Sequence, residues 1–154
     1  MKNIVIKLAE ARDWEAAIGV AWITFQQISE QVCDEEGARG FRDGLTSTQL
    51  YIDFLQGNYP LFCAYQGNKV IGMLGLKNMK HISLFFVKKE YQGRGIGKEL
   101  LVACKEYCKK HGVSNLTVNA APTGLPFYLA NGFKASAGER FEKGLRFTPM
   151  TLRA

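Results

Sequence analysis

The sequence predicts an α/β (α+β) domain: one mixed, mostly antiparallel sheet of about seven strands with about four helices spread over both faces. Three observations carry this expectation. The hydrophobic spacing is helical before residue 58, strand-like through residues 61–87, and alternates between the two afterwards. The chain has 154 residues and is 47% apolar, which suffices for one core without a metal or disulfide. A glycine-rich loop joins an apolar strand to a long amphipathic helix.

The elements follow in order. Ile4–Leu8 (IVIKL) alternates weakly and reads as a first strand. Asp13 can cap a helix on which Trp14, Ala17, Ile18, Ala21, Phe25 and Ile28 recur at helical spacing. Residues 33–45 are polar, charged and glycine-containing, so they read as a loop or a broken helix. Thr48 can cap a short helix through Leu55, stopped by Gly57 and Pro60. Residues 61–65 and 70–77 form strands around the turn Gln66-Gly67-Asn68. His81–Val87 (HISLFFV) is a central strand. Residues 95–111 form a helix with Ile96, Leu100, Leu101, Cys104, Tyr107 and Cys108 on one stripe, stopped by Gly112. Residues 116–119 are a fifth strand, and Pro122 can open a helix to Ala130 closed by Gly132. Residues 133–135 and 146–152 read as the last two strands.

Composition excludes several classes. No run approaches the ~20 apolar residues of a membrane span, and the N-terminus lacks the pattern of a signal peptide. A cytoplasmic protein is the default expectation. Cys33, Cys63, Cys104 and Cys108 form no CxxC pair, and with two His and scattered carboxylates they give no metal site. Net charge is +6, yet residues 1–58 hold 5 Lys/Arg against 9 Asp/Glu while residues 59–154 hold 15 against 5. Such asymmetry suggests two surfaces for different partners. The basic part carries no nucleic-acid-binding signature, so no nucleic acid and no membrane are expected as partners.

The stretch Glu90-Tyr91-Gln92-Gly93-Arg94-Gly95-Ile96-Gly97-Lys98 carries the chemistry. Glycines let backbone N–H groups approach an anion at a helix N-terminus, where the dipole adds about half a positive charge. Arg94 and Lys98 add cationic donors. A Walker loop needs wider glycine spacing and a Ser or Thr after the lysine, whereas Glu99 follows Lys98. A dinucleotide fingerprint needs glycine where Lys98 stands.

Gln92-x-x-Gly95-x-Gly97 instead resembles the coenzyme A loop of the GNAT (GCN5-related N-acetyltransferase) superfamily. Asn119 at a strand end, followed by Phe127-Tyr128-Leu129-Ala130-Asn131-Gly132-Phe133, resembles the family's second motif. The resemblance is good over residues 60–152 and extends to residues 1–58 only in layout. It implies a sheet splayed between strands 4 and 5, with pantetheine inserted in the splay. It also implies an acetyl-CoA-dependent N-acetyltransferase that moves the acetyl group directly to a primary amine, with no covalent cysteine intermediate. Backbone at Phe85 and Val87 would bond pantetheine, and Gln92, Gly93, Arg94, Gly95, Ile96, Gly97 and Lys98 would hold the pyrophosphate. Asn119 would lie near the thioester. Tyr128 matches the family's general acid. The family often has a Glu eleven residues before the loop's first Gln/Arg; here that position is His81, whose ordinary pKa suits a base or a proton relay.

Plain strand alternation puts His81 on the same face as Ser83, Phe85 and Val87. The acidic balance of residues 1–58, with Asp34-Glu35-Glu36, suggests an acidic acceptor rim and hence a cationic small molecule or peptide. Dimers are common in the family, which leaves a homodimer open. The alternatives are an inactive acyl-CoA-binding sensor on the same fold and a nucleic-acid-binding module.

Overall fold

Apolar side chains on both faces of one sheet organise the chain, which a computed structural model describes over residues 3–153. The strands are β1 (Ile4–Leu8), β2 (Leu61–Gln66), β3 (Lys69–Lys77), β4 (His81–Val87), β5 (Asn115–Ala120), β6 (Lys134–Ala135), β7 (Arg140–Glu142) and β8 (Leu145–Arg153). They pair in the order β1-β2-β3-β4-β5-β8-β6, with β7 folded back on β8 as a hairpin. The helices are α1 (Trp14–Val32), α2 (Glu35–Leu45), α3 (Thr48–Leu55), α4 (Ile96–Lys110) and α5 (Leu125–Ala130).

Three elements depart from the sequence expectation. Residues 35–45 form a helix despite three glycines. Asp34 caps it by accepting the Gly37 N–H at 2.9 Å, and Glu35 and Glu36 sit in its first turn where the dipole favours them. Ser47, not Thr48, caps α3 by accepting the Leu50 N–H at 3.3 Å. The short strand β7 carries an exposed Phe141, so no buried face marks it in the sequence. Asp13 does stand at the N-cap of α1, but its carboxylate binds the Glu10 N–H and the Tyr65 hydroxyl rather than the helix.

Helices α1 and α4 lie on opposite faces. Trp14, Ala17, Val20 and Ala21 of α1 pack on Cys63, Met73 and Leu84. Leu100, Leu101, Cys104 and Cys108 of α4 pack on Ala64, Leu74, Ile82, Leu116 and Val118. The four cysteines are free thiols, with Cys63, Cys104 and Cys108 buried in these layers. No described helix is long and apolar enough to cross a membrane.

Two irregularities shape the sheet centre. In the β3–β4 register Gly75 opposes Leu84 while Leu76 opposes Ile82, so Ser83 is an extra residue, a β-bulge. Strands β4 and β5 run parallel and pair only at His81↔Thr117 and Ile82↔Val118. Beyond Ile82 the two strands diverge, and the β5-facing edge of β4 has no strand neighbour.

Candidate active site

The glycine loop owes its shape to backbone dihedrals. Gly93 and Gly95 have φ of 79° and 82°, the left-handed region that costs other L-residues about 1–2 kcal/mol each. Gly95 is also the N-cap of α4, so the loop's turn delivers the chain directly into the helix. Gly97 lies close to a ring instead: an added Cβ would stand 3.3 Å from the Phe127 ring, so that ring would have to shift slightly. The Gln92 side chain donates to the Val87 carbonyl at 2.8 Å and ties the loop back to the end of β4.

A cleft of about 750 Å³ runs from this loop through the splay to the α1 face. On the α4 side it is lined by the loop residues Gln92, Gly93, Gly95, Ile96, Gly97 and Lys98, by Phe85 and Val87, and by Phe127 and Tyr128. At the splay it meets His81, Ser83 and Asn119. On the α1 side it reaches Thr24, Phe25, Phe41, Phe86, Leu145, Arg146 and Phe147. Every residue expected at the site lines the cleft except Arg94, whose backbone stays in the loop between Gly93 and Gly95. That side chain turns away, donating to the Glu90 carbonyl at 3.1 Å and lying 5.2 Å over the Tyr91 ring.

Tyr128 is held by rings on several sides. Phe133, Phe127 and Phe85 meet it edge-on, with centroids 5.1, 5.5 and 6.1 Å away. Only 7% of its surface is exposed, and burial raises its pKa, so the phenol stays protonated through the physiological range. Its hydroxyl has no hydrogen-bond partner among the described residues, although the residue borders the cleft.

His81 is half-buried, and its Nδ1 lies 2.7 Å from the Thr117 hydroxyl oxygen. Burial lowers its pKa, and the Lys77 ammonium, across the β3–β4 pairing, lowers it further. The imidazole is therefore neutral at neutral pH. The bulge corrects the predicted face. Ile82 before Ser83 and Phe85 and Val87 after it all pack with the α4 layer, while Leu84 and Phe86 pack with the α1 layer. His81, adjacent to Ile82, therefore projects to the α1 face. So does its partner Thr117, which sits between the α4-facing Leu116 and Val118. The Ser83 hydroxyl meets Tyr59 Oη at 2.7 Å, and Tyr59 belongs to the α1 layer.

The carboxylates expected at an acidic rim are not among the cleft lining. No carboxylate lines the cleft among the described residues, and its charged lining is Lys77, Lys98 and Arg146. Asp34, Glu35 and Glu36 are spent on the N-terminus of α2. Thr117, Thr24 and the aromatic wall of Phe25, Phe41, Phe86 and Phe147 were invisible in the sequence, because nothing local marks which side chains meet across elements. Thr24 is 5% exposed, and its hydroxyl has no partner among the described residues, a condition that costs about 1–3 kcal/mol.

An acyl-CoA fits the donor side. The splay leaves strand-edge backbone groups that an extended amide-bearing chain can satisfy. The positive-φ loop at the α4 N-terminus suits a pyrophosphate. No cluster of three His, Cys, Asp or Glu suited to a metal ion occurs among the described residues.

Comparisons with known proteins agree with this geometry. No curated protein matches the sequence. Among solved structures, a GCN5-related N-acetyltransferase from Rhodopseudomonas palustris superposes with a TM-score of 0.84 at 20% identity, covering 100% of this chain and 98% of that one. The paia N-acetyltransferase of Thermoplasma acidophilum, in complex with coenzyme A, gives 0.82 at 23% identity, with 99% of each chain covered. The protein yncA of Salmonella typhimurium, with its cofactor acetyl-CoA, gives 0.70 at 17% identity over 98% of this chain and 94% of that one. The acetyltransferase (GNAT) domain family matches residues 29–154, and the chain therefore belongs to the GNAT family of acetyl-CoA-dependent acetyltransferases.

Proposed function

We propose that this chain is one GNAT domain that transfers the acetyl group of acetyl-CoA directly to a primary amine. The observation that carries the reading is the cleft: it runs from the glycine loop on one face of the sheet to an aromatic wall on the other, with Tyr128 and His81 along it. Acetyl-CoA supplies an activated acetyl group as a thioester. Gln92, Gly93, Gly95, Ile96, Gly97 and Lys98 hold its pyrophosphate, and the backbone edge at Phe85 and Val87 holds its pantetheine. An N–H of that edge is suited to the oxyanion that develops during transfer. Asn119 lies where the splay opens.

The chain's side chains manage two protons. An alkyl ammonium has a pKa near 10 and must lose a proton before it can attack. With Nδ1–H donating to Thr117, His81 Nε2 is the basic nitrogen, and its lowered pKa keeps it free to accept. Tyr128, protonated and unpartnered, gives a proton to the departing thiolate. A covalent cysteine route is disfavoured. Among the described residues no cysteine lines the cleft, and burial pushes the Cys63 thiol up to about 12 and raises Cys104 as well. A cationic acceptor was expected from the charge of residues 1–58. The cleft lining gives that expectation no counter-charge. The test is a panel of amines offered with acetyl-CoA, read as release of free CoA thiol. Tight binding of acetyl-CoA without turnover on any amine would favour the inactive sensor.

A further inference from the structure

The α1 side of the cleft is built for a ring. Phe25 and Phe41 stack with centroids 3.9 Å apart and an angle of 12° between planes. Phe86 meets Phe41 edge-on at 5.8 Å, and Phe147 also borders the chamber. No carboxylate lines the cleft among the described residues, and the charges on this side are the cations of Lys77 and Arg146. A polyamine would carry its unreactive ammonium groups into this chamber with nothing to pair them, which a low-dielectric wall penalises strongly. A flat apolar body needs no counter-charge and gains edge and face contacts with the phenyl rings.

One buried polar group in the wall is left without a partner among the described residues. Thr24 borders the chamber beside Phe25, is almost fully buried, and leaves its hydroxyl without a partner among the described residues. A helical threonine ordinarily returns this hydroxyl to a carbonyl of the preceding turn. A buried hydroxyl left free in a cleft wall is suited to a partner that arrives with the ligand.

We propose that the acceptor is a primary alkylamine whose short chain bears an aromatic ring, with a hydrogen-bonding ring substituent taken by Thr24; this rests on the acetyl-transfer reading above. The probes are tyramine, phenethylamine and spermidine. Turnover is read as CoA thiol release, and binding to CoA-saturated protein is read by calorimetry. Both aromatic amines should exceed spermidine in kcat/KM and in affinity, and tyramine should exceed phenethylamine about 10-fold, the worth of one hydrogen bond. Thr24→Val keeps the shape of the wall. It should abolish the tyramine advantage, leave acetyl-CoA affinity unchanged, and not lower the melting temperature. Spermidine as the best substrate, or a tyramine advantage that survives Thr24→Val, would overturn the proposal while leaving acetyl transfer standing. Failure to bind acetyl-CoA at all would overturn the transferase reading and this proposal with it.

Discussion

Replacing Gly95 by valine tests the phosphate loop through a single dihedral. Gly95 has φ 82° and ψ 5°, and an added Cβ there would meet nothing within 4 Å. The substitution therefore creates no clash with a neighbour; its whole cost is backbone strain. A non-glycine residue in the left-handed region costs about 1–2 kcal/mol, and a β-branched one sits at the upper end, so about 2 kcal/mol is expected. That strain has two outlets. If the loop abandons its shape, its N–H groups lose their aim and acetyl-CoA affinity falls about 30-fold, at 1.4 kcal/mol per tenfold. If the loop holds, the melting temperature falls by about 4–8 °C for a domain of this size. Because Gly95 caps α4 on the edge of the cleft, we expect most of the loss in affinity, read by calorimetric titration of the folded variant. Gly95→Ala should lose less. Gly138→Val is the control, since Gly138 has open space and no left-handed φ. A Gly95→Val protein with unchanged affinity and unchanged melting temperature would refute the reasoning.

The other predictions follow from the same geometry. Tyr128→Phe should lower kcat about 100-fold with acetyl-CoA affinity retained, since the ring packing survives and only the unpartnered hydroxyl is lost; wild-type kcat, with chemistry rate-limiting, removes Tyr128 from the mechanism. The wild-type pH–rate profile should fall on its acidic side through a group below the ordinary histidine pKa of 6.5. Lys77→Met should move that limb to higher pH by removing a cation that lowers it, and His81→Ala should lower activity at neutral pH with partial recovery as pH rises. An unmoved limb in both variants would assign proton removal to water. The same lowered pKa means that the unfolded chain binds the His81 proton more readily, so its contribution to stability is present above about 6.5 and is lost as pH falls below it. Gly37→Ala should drive its new methyl into the Gly144 carbonyl, where α2 meets the β7–β8 turn. An overpacking cost of about 1–3 kcal/mol should lower the melting temperature by several degrees, and a melting curve identical to wild type would show that the contact yields freely.

The sequence by itself determined the order of the central elements and the shape of the glycine loop that borders the cleft. Both depend on short-range patterns: alternation along β2–β4, the α4 stripe from Ile96 to Cys108, and glycines whose φ the loop requires. Tyr128 was legible for the same reason, because its place is fixed by the segment that contains it. What the tertiary structure decided lies across elements. The bulge at Ser83 reversed the face of His81, since one extra residue changes which side chains share a face. Arg94 turned onto the Tyr91 ring, a choice between solvent and aromatic partners that a motif does not encode. Residues 35–45 became a helix because Asp34 supplies a cap and Gly37 packs against Gly144 of a distant hairpin. The aromatic wall on the α1 side of the cleft depends on this docking, which sets Phe41 of α2 against Phe25 of α1 and Phe86 of β4. The charge balance of residues 1–58 pointed toward a cation, but net charge records how many carboxylates a segment has and not where they point. Here Asp34, Glu35 and Glu36 sit at a helix N-terminus, and among the described residues no carboxylate lines the cleft, whose α1 side is walled mainly by phenyl rings.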